Sequence, residues 1–232
     1  MRQRDFNAER LAIARAVFAR LHAQWGEHLI AAAVYGSVAH GDAGAESDVE
    51  LTIITDEAVP YTDISLFEDG TLVEYTLVEA ERMLAAARRV PENWGIEADQ
   101  YRHHLILWDP GDFFTRLWQA ARAIPDAAFD DAQRALWWRA YEGRGKLRNA
   151  IRANDPPRIH YSAWQFAYTT ALRIALHDHQ PYESLRTIWQ DVAARGFAMP
   201  DLLAALTASD VDRIGAAIEH VWEATQPWGK PE

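Results

Sequence analysis

Two short apolar runs set apart by a small polar loop constrain this chain most. Leu29 to Tyr35 and Val49 to Thr55 are both too short for an ordinary helix, and they read as buried strands. Between them lie Gly36-Ser37, a Gly/Asp/Ala loop over 41–46, and then Ser47-Asp48 at the entrance to the second run. A third run, Thr71 to Val78, follows an Asp69-Gly70 turn. Ahead of all three, Leu11, Ala14, Val17, Phe18 and Leu21 recur at steps of three and four, predicting a helix over 7–25. Helix, strand, short connection, strand and strand make a mixed sheet with helical cover.

The character changes after about residue 111. Segments 112–123, 127–153, 158–178, 183–195 and 209–225 show helical spacing, interrupted at Asp155-Pro156-Pro157, Pro181 and Pro200. The expected fold is therefore α+β: an N-terminal mixed β-sheet domain with flanking helices over 1–110, and a C-terminal helical bundle over 111–232. With no cysteine, disulfides, thiolate metal sites and cysteine nucleophiles are excluded. The start, Met1 to Phe6, has no apolar run behind it, and no stretch approaches the ~20 apolar residues of a membrane span. A soluble, cytoplasmic protein is expected.

Charge is unevenly spread within the net −11. Residues 1–120 hold 10 Lys/Arg against 20 Asp/Glu, and residues 121–232 hold 13 against 14. An acidic first half argues against a nucleic-acid backbone as partner, which demands basic patches. It suits metal ions or a cationic substrate, although a plainly solvated acidic surface accounts for the same count.

Side chains alternate along a strand, so Asp48 and Glu50 project to one side. Two hard carboxylates form a seat for Mg²⁺, and a pair of metals can clamp the attacking and leaving oxygens of an in-line phosphoryl displacement. Gly36-Ser37 leaves a strand and opens a short helix, where backbone N–H groups and a hydroxyl can hold triphosphate oxygens. Glu74, flanked by Val73 and Tyr75, is the candidate third carboxylate, because a charge inside an apolar strand needs a partner or a metal. Taken alone, Asp-Val-Glu could be the solvated face of an edge strand; the whole pattern asks for far more.

That pattern resembles the DNA polymerase beta-like nucleotidyltransferase superfamily and, within it, the kanamycin (aminoglycoside) nucleotidyltransferases. The likeness rests on Val34-Tyr35-Gly36-Ser37, Ser47-Asp48-Val49-Glu50, Val73-Glu74 with Val78-Glu79, and Trp108-Asp109-Pro110-Gly111. It continues through Tyr141-Glu142-Gly143-Arg144-Gly145-Lys146-Leu147-Arg148-Asn149. The resemblance implies that Asp48, Glu50 and Glu74 ligate two Mg²⁺, and that Gly36, Ser37, His40, Ser47 and Lys146 bind a nucleoside triphosphate. It further implies that Glu142 is the general base, and that the enzyme is a homodimer whose active site is shared between subunits. Spacing alone would make Glu142 and Lys146 a surface salt bridge. His40 stands where the kanamycin enzyme has an arginine, and the acidic segment 56–70 has no close counterpart.

The expected activity is transfer of a nucleoside monophosphate, AMP, to a hydroxyl of an aminoglycoside-type acceptor. One rival keeps the chemistry but targets a protein or a transfer RNA; another is a nucleotide-binding partner that has lost catalysis. His103-His104 and His177-Asp178-His179 resemble metal pairs, but neither has a third ligand in the sequence pattern. Trp137-Trp138, Trp164 and Trp189 read as core or interface anchors. Tyr101 or Trp94 could stack on a base.

Overall fold

The computed structural model describes residues 5–197 and 199–231. The chain forms two compact units, one of residues 1–89 with 98–124, the other of residues 90–97 with 125–232. It is α+β: a mixed sheet with helices in the first unit, and helices throughout the second.

The first unit holds α1 (Phe6–Trp25), β1 (Leu29–Tyr35), α2 (Gly36–His40), β2 (Val49–Thr55), β3 (Thr62–Glu68), β4 (Thr71–Glu79), α3 (Ala80–Ala87), β5 (Leu105–Trp108) and α5 (Phe113–Arg122). The label α4 belongs to Trp94–Glu97 of the second unit. Strand order is β3-β4-β2-β1-β5, with β2 and β4 parallel and the other neighbours antiparallel. Central strand β2 is buried along nearly its whole length, as a strand covered on both faces is, whereas β4 buries Thr71, Val73, Leu77 and Val78 and leaves the rest half-buried.

The two faces differ along their length. On one, Ala32, Val34, Leu51, Ile53, Val73 and Leu77 pack with Ala14, Val17 and Leu21 of α1 in a single apolar cluster. On the other, Ala31, Ala33, Ile54 and Val78 are covered by Met83, Leu84 and Ala87 of α3 and by Phe113, Phe114 and Leu117 of α5. That second cluster stops short of the strand ends carrying Tyr35, Glu50 and Glu74, where the same face turns polar.

Asp109 accepts from the backbone N–H groups of Phe113 (2.8 Å) and Phe114 (2.9 Å), so the Trp108-Asp109-Pro110-Gly111 block serves to start α5. Three elements of this unit lie outside the sequence expectation. Edge strand β3 alternates half-buried and exposed residues in an acidic stretch, β5 is only four residues long, and α3 follows β4 without a turn signal.

The second unit holds α4, α6 (Ala127–Arg152), α7 (Pro156–Asp178), α8 (Ile188–Ala194), α9 (Met199–Ala208) and α10 (Val211–Thr225). The long pair α6 and α7 shares a core with α9 and α10 built on Trp137, Leu147, Phe166, Ile174, Leu202 and Ile218. Pro156 and Pro157 occupy the first turn of α7 rather than stopping it, since no intrahelical donor is required there; Asp155 caps that turn. The helix expected over 183–195 shortens to α8, because Ser184 Oγ accepts from the N–H groups of Arg186 and Thr187 and holds a turn instead. Among the described residues no helix is long and apolar enough to cross a membrane.

Candidate active site

Strand register alone brings the acidic residues together. Glu50 of β2 lies beside Glu74 of parallel β4 and beside Tyr35 of antiparallel β1. Asp48 stands two residues before Glu50, immediately ahead of the strand. Half-buried among like charges, the Glu50 carboxyl is pushed up to about 7, first by loss of solvent and then by Asp48, Glu74 and Asp99. Glu74 accepts from Ser65 Oγ of β3 at 3.0 Å. The ligand oxygens of the three carboxylates do not all lie within 4.8 Å of one another.

Gly36 is where this site most narrowly dictates the sequence. Its φ is +65°, and a Cβ placed there would stand 1.9 Å from Glu50 Oε2. Glycine adopts that φ without strain and lets the backbone pass under the carboxylate where it stands; a side chain would strain the backbone and push Glu50 aside. Ser37 follows in the short helix α2, whose end is closed at Gly41.

The loop back to β2 is fastened from α1. Arg10 donates from Nε to Ser47 O (2.8 Å) and from Nη2 to Ala45 O (2.7 Å). Asn7 accepts from Ala43 N–H at 3.0 Å and donates to Gly41 O. Ser47 Oγ accepts from Gly44 N–H at 2.9 Å, so its hydroxyl holds the loop turn. Neither Asn7 nor Arg10 figured in the sequence reading. The available signal was a charged residue in the apolar stripe of a helix, since Arg10 shares the buried side of α1 with Ala14, Val17 and Leu21.

His40 ends α2. Its Nε2 lies 2.7 Å from Asp99 Oδ2, and its ring stacks on His103 at 4.0 Å. His104 packs its ring against Phe114, half-buried there, and loss of solvent pushes it down to about 4. The sequence pair 103–104 is thus no chelate, whereas His103 meets ligands from elsewhere in the chain. His177 and His179 are also separated, the first stacked on Trp228 and the second on Phe129. Trp94 is buried edge-on to Phe129 and has no face free for a base. Tyr101 lines a cavity of about 410 Å³ beside the acidic residues, with Tyr35, Thr52, Tyr61 and Thr76.

Glu142 and Lys146 lie in the second unit, on α6. They form an exposed ion pair at 2.8 Å beside a groove of about 390 Å³ that Arg139, Gln165 and Tyr168 also line. The hydrogen bond from Lys146 holds the Glu142 carboxyl below the usual carboxylate range.

Residues 111–231 match the family model described as the KNTase C-terminal domain. This chain belongs to the KNTase C-terminal domain family. Two "Aminoglycoside nucleotidyltransferase (4')" proteins, from Staphylococcus aureus and from a Bacillus species, are each 26% identical to it over 235 residues. The alignment covers 95% of this chain and 90% of each relative. A solved nucleotidyltransferase-like protein from Exiguobacterium sibiricum shares the fold, with a TM-score of 0.54 and 14% identity over 90% of this chain and 74% of that one. Family and relatives together identify this member as a nucleotidyltransferase enzyme.

Proposed function

We propose that this enzyme transfers AMP from ATP to a hydroxyl of a cationic, aminoglycoside-type acceptor and releases pyrophosphate. The observation that carries the reading is the register pairing of Glu50 with Glu74, above a glycine whose positive φ and close approach to Glu50 disfavour any side chain. The named activity of the two relatives and the acidic first half support the acceptor class.

The donor set fits Mg²⁺. Asp48, Glu50 and Glu74 offer only oxygen, and the Glu50 carboxyl, raised first by loss of solvent and then by neighbouring carboxylates, would be favoured in its charged form by a divalent ion. Bound there, Mg²⁺ would offset charge on the triphosphate and on the entering and leaving oxygens. Ser37 and the Gly36 backbone hold phosphate oxygens, with His40 beside them. Ser47 fixes the loop by accepting from Gly44 N–H and keeps its O–H proton to donate to a phosphate oxygen.

Glu142 takes the proton of the acceptor hydroxyl. The acceptor oxygen bonds to the α-phosphorus as the bond to the bridging α–β oxygen breaks, and pyrophosphate leaves with that electron pair. Paired with Lys146, Glu142 is ionised but a weak base. When Lys146 turns to the triphosphate, the carboxylate loses its hydrogen bond and becomes more basic, towards the range where a general base is effective. The enzyme works as a homodimer, with Glu142 and Lys146 supplied by the partner's copy of α6. Exposed Trp138, Tyr141, Tyr161 and Trp164 on α6 and α7 give such an interface aromatic anchors.

Incubation with α-labelled ATP, Mg²⁺ and either kanamycin or cell lysate tests the reading. Label on kanamycin with stoichiometric pyrophosphate is expected. Label only on protein or transfer RNA would replace the acceptor class, and no transfer to any acceptor would remove the activity.

A further inference from the structure

We propose that His40, Asp99 and His103 form a second cation site, separate from the Asp48/Glu50/Glu74 carboxylates, which takes a divalent transition cation of the Zn²⁺ class. One ligand atom from each of the three lies within 4.8 Å of the others, and among the described residues they are the set that meets this distance.

Two local features build the arrangement. The backbone N–H of His103 donates to Asp99 O at 2.9 Å, an α-type bond that closes the chain just past the 3₁₀ segment Ala98–Tyr101 and brings the two side chains four residues apart to one side. His40 comes from the end of α2, its ring stacked on His103 with an interplanar angle of 26° and its Nε2 against Asp99. The His40 and Asp99 side chains retain 13% and 18% of their exposure, which shelters the pair without closing it off. A His–Asp hydrogen bond by itself needs no metal. A second imidazole, with a ring nitrogen within 4.8 Å of both the His40 and the Asp99 ligand atoms, goes beyond that need.

Donor chemistry sorts the two sites. Two nitrogens and one oxygen match Zn²⁺, whereas Mg²⁺ prefers the all-oxygen set. Zn²⁺ bonds of roughly 2.0–2.2 Å place tetrahedral ligand atoms about 3.3 Å apart. Seating the ion therefore requires the 2.7 Å His40–Asp99 pair to open slightly and the three ligand atoms, already within 4.8 Å of one another, to settle at that spacing. On binding, the proton between His40 Nε2 and Asp99 leaves that position and the cation takes it. Three protein ligands leave a coordination position for water or a phosphate oxygen.

The experiment is a calorimetric Zn²⁺ titration of the full chain, stripped with chelator, in millimolar Mg²⁺. One Zn²⁺ per chain is expected, with affinity weakened about tenfold or more in His103→Ala and His40→Ala and unchanged in Asp48→Asn. His103→Gln, matched to wild type by circular dichroism, guards against a folding defect and should lose Zn²⁺ equally. Unaltered Zn²⁺ binding in the His103 variants, equal loss in Asp48→Asn, or loss on His179→Ala instead would each overturn the proposal.

Discussion

Glu50 and Glu142, the two carboxylates on which the proposed reaction turns, are opposites in physical terms. Glu50 is half-buried on a strand, crowded by like charges, and pushed up to about 7. Glu142 sits on a helix surface with 66% of its side chain exposed, paired with Lys146 and held below the ordinary range. A buried charge without a cation is a cost the fold carries for a purpose, and it marks its site unaided. An exposed i,i+4 ion pair is commonplace and marks nothing. In the proposed reaction such a group would act only once substrate reaches it, so nothing in its resting geometry singles it out.

The largest effect should follow from breaking the first half of this contrast. Asp48→Asn removes ligand charge at constant volume, and transfer should fall about 10⁴-fold, consistent with losing several kcal/mol of charge stabilisation. More than a tenth of wild-type rate at saturating Mg²⁺ would dismiss the carboxylates as the metal seat. Glu142→Ala should lower kcat by about 10²–10³ with little change in ATP affinity, the share of a general base. If ATP binding is lost instead, Glu142 supports the nucleotide and not the proton transfer.

Two smaller effects concern stability. Gly36→Ala forces a Cβ towards Glu50 Oε2 and strains a positive φ. Unfolding free energy should drop by roughly 1–2 kcal/mol or more, read by denaturant titration. In chelator, the raised Glu50 pKa gives stability present below its unfolded value of about 4.5 and lost as pH rises through about 7. Discounted for partial exposure, the wild-type protein should lose about 1 kcal/mol relative to Glu50→Gln between pH 5 and pH 8. Glu142→Gln should leave the slope untouched. Equal slopes in wild type and Glu50→Gln would show that Glu50 titrates normally.

How far the sequence could be read follows the same division. Residues 29–35 and 49–55 announced β1 and β2 because both are apolar runs bounded by polar loops. Edge strand β3 hid because its Ile64 and Leu66 alternate with Asp63 and Ser65, and a half-solvated strand in an acidic stretch looks like a loop. Strand alternation put Asp48 and Glu50 on one side, and a charge inside an apolar strand singled out Glu74; the β2–β4 register sets Glu50 beside Glu74. The approach of Asp99 and His103 to His40 was not legible, since nothing local ties residues 99–103 to His40, 59 residues before Asp99. Glu142 and Lys146 were singled out only through resemblance.

The central claim is that these two unlike carboxylates serve one reacting centre assembled from two subunits. Mixing inactive Asp48→Asn with inactive Glu142→Ala subunits tests it directly, with exchange verified by mass-tagged chains. At complete random exchange half the subunits occupy heterodimers, each with one intact site, so about a quarter of wild-type transfer should return. No recovery after demonstrated exchange would contradict the account and place Glu50 and Glu142 in the service of a single chain.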